Sequence, residues 1–395
     1  MTHSIIRFTL VSIATLLSVQ AAVAHPIDSV LTAIESNNTS LKVLSSSNEA
    51  EMIGAKSSNN LGETSVQYSP FYANGVSGVA SSELVVSQNF DFPTLYAARN
   101  KANKMKSEEL AHQYNLARRD IRFTARTLCL DIIHLRKQQT LLDKRTAIAD
   151  SLMLLYDRKF NNGEATIIEL NKVKMERMEL NAETEELQAT LKAALSQLTA
   201  MNGNQPIDFN CSEYPELPLL PDDAALAEQY LAENKDIIAA EAQAKTTQQN
   251  ISISKQNSLP KLTVGYRRNT NLDEAVNGFL VGASIPLFSN RHKTREAKAM
   301  YESQMQQIED TRIQNASAAQ SIIAELRHTQ QAIKAYDINL MESTLHLLGK
   351  AVTAGELSAI DYFREADAIN TSMAKYLELE NKLHKSVGEI LKNRL

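Results

Sequence analysis

Tryptophan is absent from the 395 residues, and only two are cysteine. Glycine (12) and proline (9) are scarce, and aromatics are 6% of the chain. So few large aromatic side chains exclude big aromatic-rich cores, and so few helix breakers leave room for very long helices. Beyond the first two dozen residues no apolar run reaches the ~20 residues that a spanning helix needs. An excess of one charge sign is missing as well. The net charge is −5, with both signs interspersed, so the basic stripe of a nucleic-acid surface is lacking and no nucleic acid is expected as a partner. Catalytic signatures are also absent: there is no H-E-x-x-H, C-x-x-C, G-x-S-x-G or glycine-rich phosphate loop, and the eight histidines are scattered. The chain does not read as an enzyme. No catalytic residue, metal ligand or cofactor is expected.

What is present begins with an export signal. Arg7 precedes the apolar run Phe8–Val19, and Ala22-Val23-Ala24 is an A-x-A-type cleavage site. Residues 1–24 are expected to be removed, leaving His25 first. Cys129 falls on an apolar helical stripe, the pattern of a buried free thiol, although export would also permit a disulfide with Cys211.

Four short segments alternate with period 2, as half-buried strands do. Near 260–268, Leu262, Val264 and Tyr266 alternate with Lys261, Thr263 and Arg267. Near 277–288, Phe279, Val281, Ala283, Ile285 and Leu287 hold alternate places. Two earlier runs lie near 63–72 and 81–92. There Leu84, Val86, Phe90 and Phe92 share one face, and Ser87, Asn89 and Asp91 share the other.

The chain is written twice. Aligning Gly163 with Gly355 brings Glu164 to Glu356, Ile168 to Ile360 and Glu169 to Asp361. Each glycine ends one long helix and permits a tight turn into the next. The first repeat covers 25–205, with long helices over 94–160 and 164–201. The second covers 222–395, with long helices over 290–354 and 356–393. The segment 206–221, with Pro206, Pro215, Pro218 and Pro221, joins them. A helix of about 60 residues spans roughly 90 Å, too long for a globular domain to bury. Leu110, Tyr114, Ala117, Ile121, Thr124, Leu128, Ile132 and Leu135 step by 4 and 3 as a coiled-coil-like seam.

Four strands cannot close a wet barrel, and an open sheet of four would expose its edges. Three chains would supply 12 strands, an even number in the range of outer-membrane barrels. Their apolar faces would meet lipid, and their small and polar faces would line a lumen. The plain alternative is a small soluble sheet packed on its own helices.

This layout resembles the TolC-type outer-membrane efflux proteins over nearly the whole mature chain. The resemblance is carried by the strand-to-helix stretch Gly282–Lys293, by the turns Gly163–Glu169 and Gly355–Asp361, and by the duplication itself. It implies a mainly α fold with membrane β-strands. In such a fold a homotrimer shares a 12-stranded β-barrel in the outer membrane, four strands per chain, continued by a long α-helical barrel across the periplasm. By the same resemblance, Asn161, Asn162, Gly163 and Glu164, with Ala354, Gly355, Glu356 and Leu357, form the tip that docks on a periplasmic adaptor (a membrane fusion protein) serving an inner-membrane pump. Asp361, with Glu169 as its counterpart, would lie near the narrow aperture. Where the enterobacterial protein carries a second acidic residue this chain has Arg364, three places on, able to neutralise Asp361. The implied role is a passive exit duct for efflux or secretion. The rival reading is a soluble periplasmic coiled-coil scaffold or adaptor without a pore.

Overall fold

The computed structural model describes residues 25–271, 274–288 and 290–395, so the expected signal segment 1–24 lies outside the described residues. The chain opens with α1 (Pro26–Asn37) and α2 (Thr39–Ser57), followed by strands β1 (Thr64–Phe71) and β2 (Ser81–Phe90). Helix α3 (Pro93–Asn161) then runs unbroken for 69 residues, and α4 (Ile167–Met201) returns beside it. After an extended segment the order recurs: α5 (Asp223–Ala232), α6 (Lys235–Gln256), β3 (Lys261–Asn271), β4 (Ala275–Ser284), α7 (Lys293–Ile333), α8 (Ile338–Ala354) and α9 (Ala359–Ile390), with a last 3-10 turn at Lys392–Arg394.

One helix differs from the sequence expectation. The helix expected over 290–354 is divided. Residues 334–337 leave the helix, and Asp337 starts α8 by accepting the Leu340 N–H at 3.0 Å. The segment ahead of each hairpin is likewise two helices: Asn38 caps α2, and Asn234 caps α6 through the N–H groups of Asp236 and Ile237. None of these breaks uses glycine or proline. Each uses a short Asp or Asn side chain that competes for backbone N–H groups.

The four strands form one antiparallel sheet in the order β1-β2-β3-β4. The central pair, β2 and β3, is far apart in sequence, so the sheet ties distant parts of the chain together. Its register places Val66, Val86, Tyr266 and Phe279 in one row, and Thr64, Gln88, Val264 and Val281 in another on the same face. The opposite face carries Ser65, Ser87 and Gly265 in one row and Asn89, Thr263 and Gly282 in another. The alternation therefore falls as expected, though β4 ends at Ser284, leaving Ile285 and Leu287 outside the strand. Pro70 lies on the edge strand β1, where a missing donor costs no ladder bond.

The helices are not wrapped round one core. Buried side chains gather in separate clusters along their length. One joins α1 to α3 through Ile27, Leu31, Ile34, Cys129, Ile132 and Ile133, and Phe209 of the linker closes it. Another joins α5, α7 and α9 through Leu226, Ile323, Leu326 and Val387. The accessible surface, 24993 Å² for 43.8 kDa, far exceeds the roughly 15,000 Å² of a compact monomer of this mass. The seam on α3 holds at Leu110 and Ile132, but Thr124 faces solvent and the buried line passes through Ala125 instead. Both cysteines are free thiols; burial pushes Cys129 up to about 12.

Candidate functional site: the paired helical turns and the exposed sheet

At one end of the rods the chain turns back twice, and both turns are built alike. Gly163 (φ +76°) and Gly355 (φ +80°) adopt the left-handed conformation that other residues take only under strain. The Glu164 N–H donates to Lys159 O at 2.7 Å, and the Gly163 N–H donates to Phe160 O at 3.0 Å. The Glu356 N–H donates to Ala351 O at 3.0 Å, and the Gly355 N–H donates to Val352 O at 3.3 Å. Each is a Schellman motif that satisfies the last carbonyls of the incoming helix. The outgoing helix is then capped. Thr166 accepts the Glu169 N–H, and Glu169 accepts the Thr166 N–H at 2.8 Å, which makes a capping box. Ser358 accepts the Asp361 N–H at 3.1 Å, and its hydroxyl donates to Asp361 Oδ2 at 2.7 Å. Glu169 and Asp361 thus hold the same local post.

The two turns stand side by side. Leu152, Tyr156, Leu170, Val173, Val352, Tyr362 and Phe363 form one buried cluster that draws on α3, α4, α8 and α9. Tyr156 crosses between the turns: its hydroxyl accepts the buried Ala359 N–H at 2.8 Å, and Lys159 Nζ sits 5.3 Å from its ring. Burial raises the pKa of Tyr156 and pushes Tyr362 up to about 12. Above the cluster a cleft of about 490 Å³ opens between Lys144, Arg145, Glu176, Glu342 and Tyr362.

The eight residues expected at the tip fall on these turns. Asn161, Asn162, Gly163, Glu164, Ala354, Gly355 and Glu356 are exposed, while Leu357 leans on the cluster. Asp361 and Arg364 meet as expected, with Arg364 Nη2 at 3.1 Å from Asp361 Oδ1 and 3.3 Å from Glu365 Oε1. Glu169 is occupied by its capping box and meets no such cation among the described residues. Tyr156 was missed by the sequence reading. Its only signal there is an aromatic seven residues before a turn glycine, a place any core residue could hold. Among the described residues no group of three His, Cys, Asp or Glu is arranged to hold a metal.

At the opposite end the sheet leaves its apolar face in solvent. Phe279 is 92% exposed, Val281 82% and Val66 67%. The outer edges of β1 and β4 pair with no other strand among the described residues. No described helix is long and apolar enough to cross a membrane.

No family model matches this chain, and no curated protein matches it. Solved structures do. The outer-membrane channel OprN is similar at a TM-score of 0.74 and 12% identity, over 93% of this chain and 89% of that one. The Campylobacter jejuni CmeC outer membrane channel gives a TM-score of 0.72 and 14% identity, over 93% and 85%. The open state of the Neisseria gonorrhoeae MtrE outer membrane channel gives 0.67 and 13%, over 93% and 88%. At such identities the likeness is one of fold. The fold is that of the TolC-type outer-membrane channels, long helices carrying a four-stranded antiparallel sheet.

Proposed function

We propose that this chain is the protomer of an outer-membrane exit duct. Three copies close a 12-stranded barrel, and their helices continue it as a tunnel through the periplasm. The chain is a passive conduit and not an enzyme. The observation that carries the reading is the sheet: a broad apolar face left in water and two unpaired edges, on a fold shared with outer-membrane channels. Trimerisation would pair every edge, and lipid would cover every apolar row. The two halves, 25–205 and 222–395, are read as a structural duplication joined by 206–221.

The paired turns are the tip. Asn161, Asn162, Gly163 and Glu164, with Ala354, Gly355, Glu356 and Leu357, are proposed to dock on the helical hairpin of a periplasmic adaptor that delivers substrate from an inner-membrane pump. Asp361, Arg364 and Glu169 are proposed to border the aperture. Threefold repetition would turn each into a ring of three, with Arg364 offsetting much of the Asp361 charge.

The test is the molar mass of detergent-extracted mature protein by light scattering, corrected for detergent. The expected result is a trimer from the outer-membrane fraction, with pore conductance whose cation preference falls in Asp361→Ala. A monomer that stays soluble without detergent overturns the duct and leaves a periplasmic scaffold in its place.

A further inference from the structure

Two adjacent arginines on β3 have opposite surroundings. Arg267 lies on the polar face and pairs with Glu83 of β2. Arg268 lies on the apolar face, in the row Tyr68, Leu84, Arg268, Asn277. Among the described strand residues of that face Arg268 is the one charged side chain, and it is exposed. It has no hydrogen-bond or ion-pair partner among the described residues.

We infer that Arg268 binds a phosphate of an outer-leaflet lipid headgroup and fixes the height of the barrel in the membrane. This rests on the barrel reading above. Position is the first argument. β1 and β3 both end on the side of the sheet away from the helices, and Arg268 is three residues, about 10 Å, from the strand end at Asn271. From its row partner Asn277 down to Ser284, where β4 ends, is about 23 Å of strand, or about 18 Å at a typical ~40° tilt. That is most of the ~25 Å height of the apolar band on outer-membrane barrels. The next row beyond it on this face is Pro70, Ser82, Thr270 and Ala275, so Arg268 falls at the upper margin of the large apolar side chains. An arginine at the bilayer midplane is strongly disfavoured, and one near the interface is tolerated.

Chemistry is the second argument. The rim around Arg268 is amphipathic: Tyr68 is exposed, and the Tyr266 hydroxyl donates to Asn277 Oδ1 at 2.7 Å. Rings with one polar end settle at headgroup depth. A guanidinium on a long stem reaches up to a phosphate and holds two of its oxygens at once. Arg267, committed to Glu83 on the other face, is not available to it.

The experiment uses the full mature chain in detergent, with bisphosphorylated lipid A as probe and the dephosphorylated lipid as comparison. Retained lipid is counted by native mass spectrometry, and pore conductance is recorded on the same preparations. Arg268→Ala is expected to retain about tenfold less phosphorylated lipid than the wild type, a charge-assisted bond's worth, with conductance and dephosphorylated-lipid retention unchanged. Arg267→Ala is expected to keep full retention. Equal retention by the wild type and Arg268→Ala, or equal loss in both variants, overturns the assignment while conductance persists. Absence of conductance in the wild type removes the barrel reading itself, and this inference with it.

Discussion

Helices α4 and α9 each rise from a Schellman turn, yet they are buried very differently. α4 buries Leu170, Val173, Leu180 and Leu198 over 35 residues. α9 buries Ala359, Tyr362, Phe363 and Ala366 near its turn, and then Asn381, Leu383, His384, Ser386, Val387, Gly388 and Ile390 at its far end. The cause is neighbours. α9 packs against α3, α7 and α8, whereas α4 leans mainly on α3 and leaves Met175 and Met178 in solvent. Like turns do not impose like surroundings: the sequence around each glycine sets the local bend, and long-range packing decides which helix is enclosed.

The sharpest way to break this contrast is at Tyr156, which ties α3 to the start of α9. Tyr156→Ala is expected to cost about 3–5 kcal/mol in urea unfolding, as a buried aromatic does. Tyr156→Phe keeps the ring but strands the Ala359 N–H, at about 1–3 kcal/mol. Values near zero for both would mean that α9 is not anchored there.

The next effect belongs to the far end of α9. His384 is buried against Tyr214, ring centroids 4.3 Å apart. Burial, reinforced by the charges of Lys137, Arg126 and His25, lowers its pKa from 6.5 to about 4. The folded state therefore refuses a proton that the unfolded chain accepts. This contribution is present in full above pH 6.5 and is lost as pH falls through 4, about 3 kcal/mol in all. Melting curves across that window should lose stability with acid, and His384→Gln should flatten the dependence. Lys192, its counterpart on α4 in the glycine alignment, is exposed, so Lys192→Gln should leave the slope unchanged.

The smallest test concerns the turns themselves. Gly163→Ala and Gly355→Ala each force a side chain into the left-handed region, at about 1–2 kcal/mol. No atom lies within 4 Å of a Cβ at Gly163, and at Gly355 only Lys159 Nζ, at 3.5 Å, comes near. The two costs should agree in thermal unfolding. A cost at one alone would separate turns that the geometry makes equal.

Much of this was legible in the sequence. The period-2 pattern sorted Leu84, Val86 and Phe90 from Ser87 and Asn89, because a strand cannot turn one residue without turning all. The turn glycines were legible because only glycine sits easily at positive φ. The Asp361–Arg364 pair was legible because residues three apart on a helix are neighbours. The break after Ile333 was not. Asp337 looks like any polar residue of a solvated helix until Leu340's N–H is seen to point at it. The Tyr156–Ala359 bond was also hidden, since 203 residues separate its partners. Thr124 fitted a heptad written for a straight pair of helices, but the packing passes one residue later, at Ala125.

The uninterrupted α3 is also a ruler. With its 69 residues in one uninterrupted helix, the distance from sheet to turn is set by a residue count, about 100 Å at 1.5 Å each. Deleting seven residues would draw the turn about 10 Å closer and swing it only about 20°. Deleting one would barely shorten the strut yet swing the turn about 100° out of register with its twin. Length in such a molecule can change only in near-whole steps of two helical turns, made in all its long helices together.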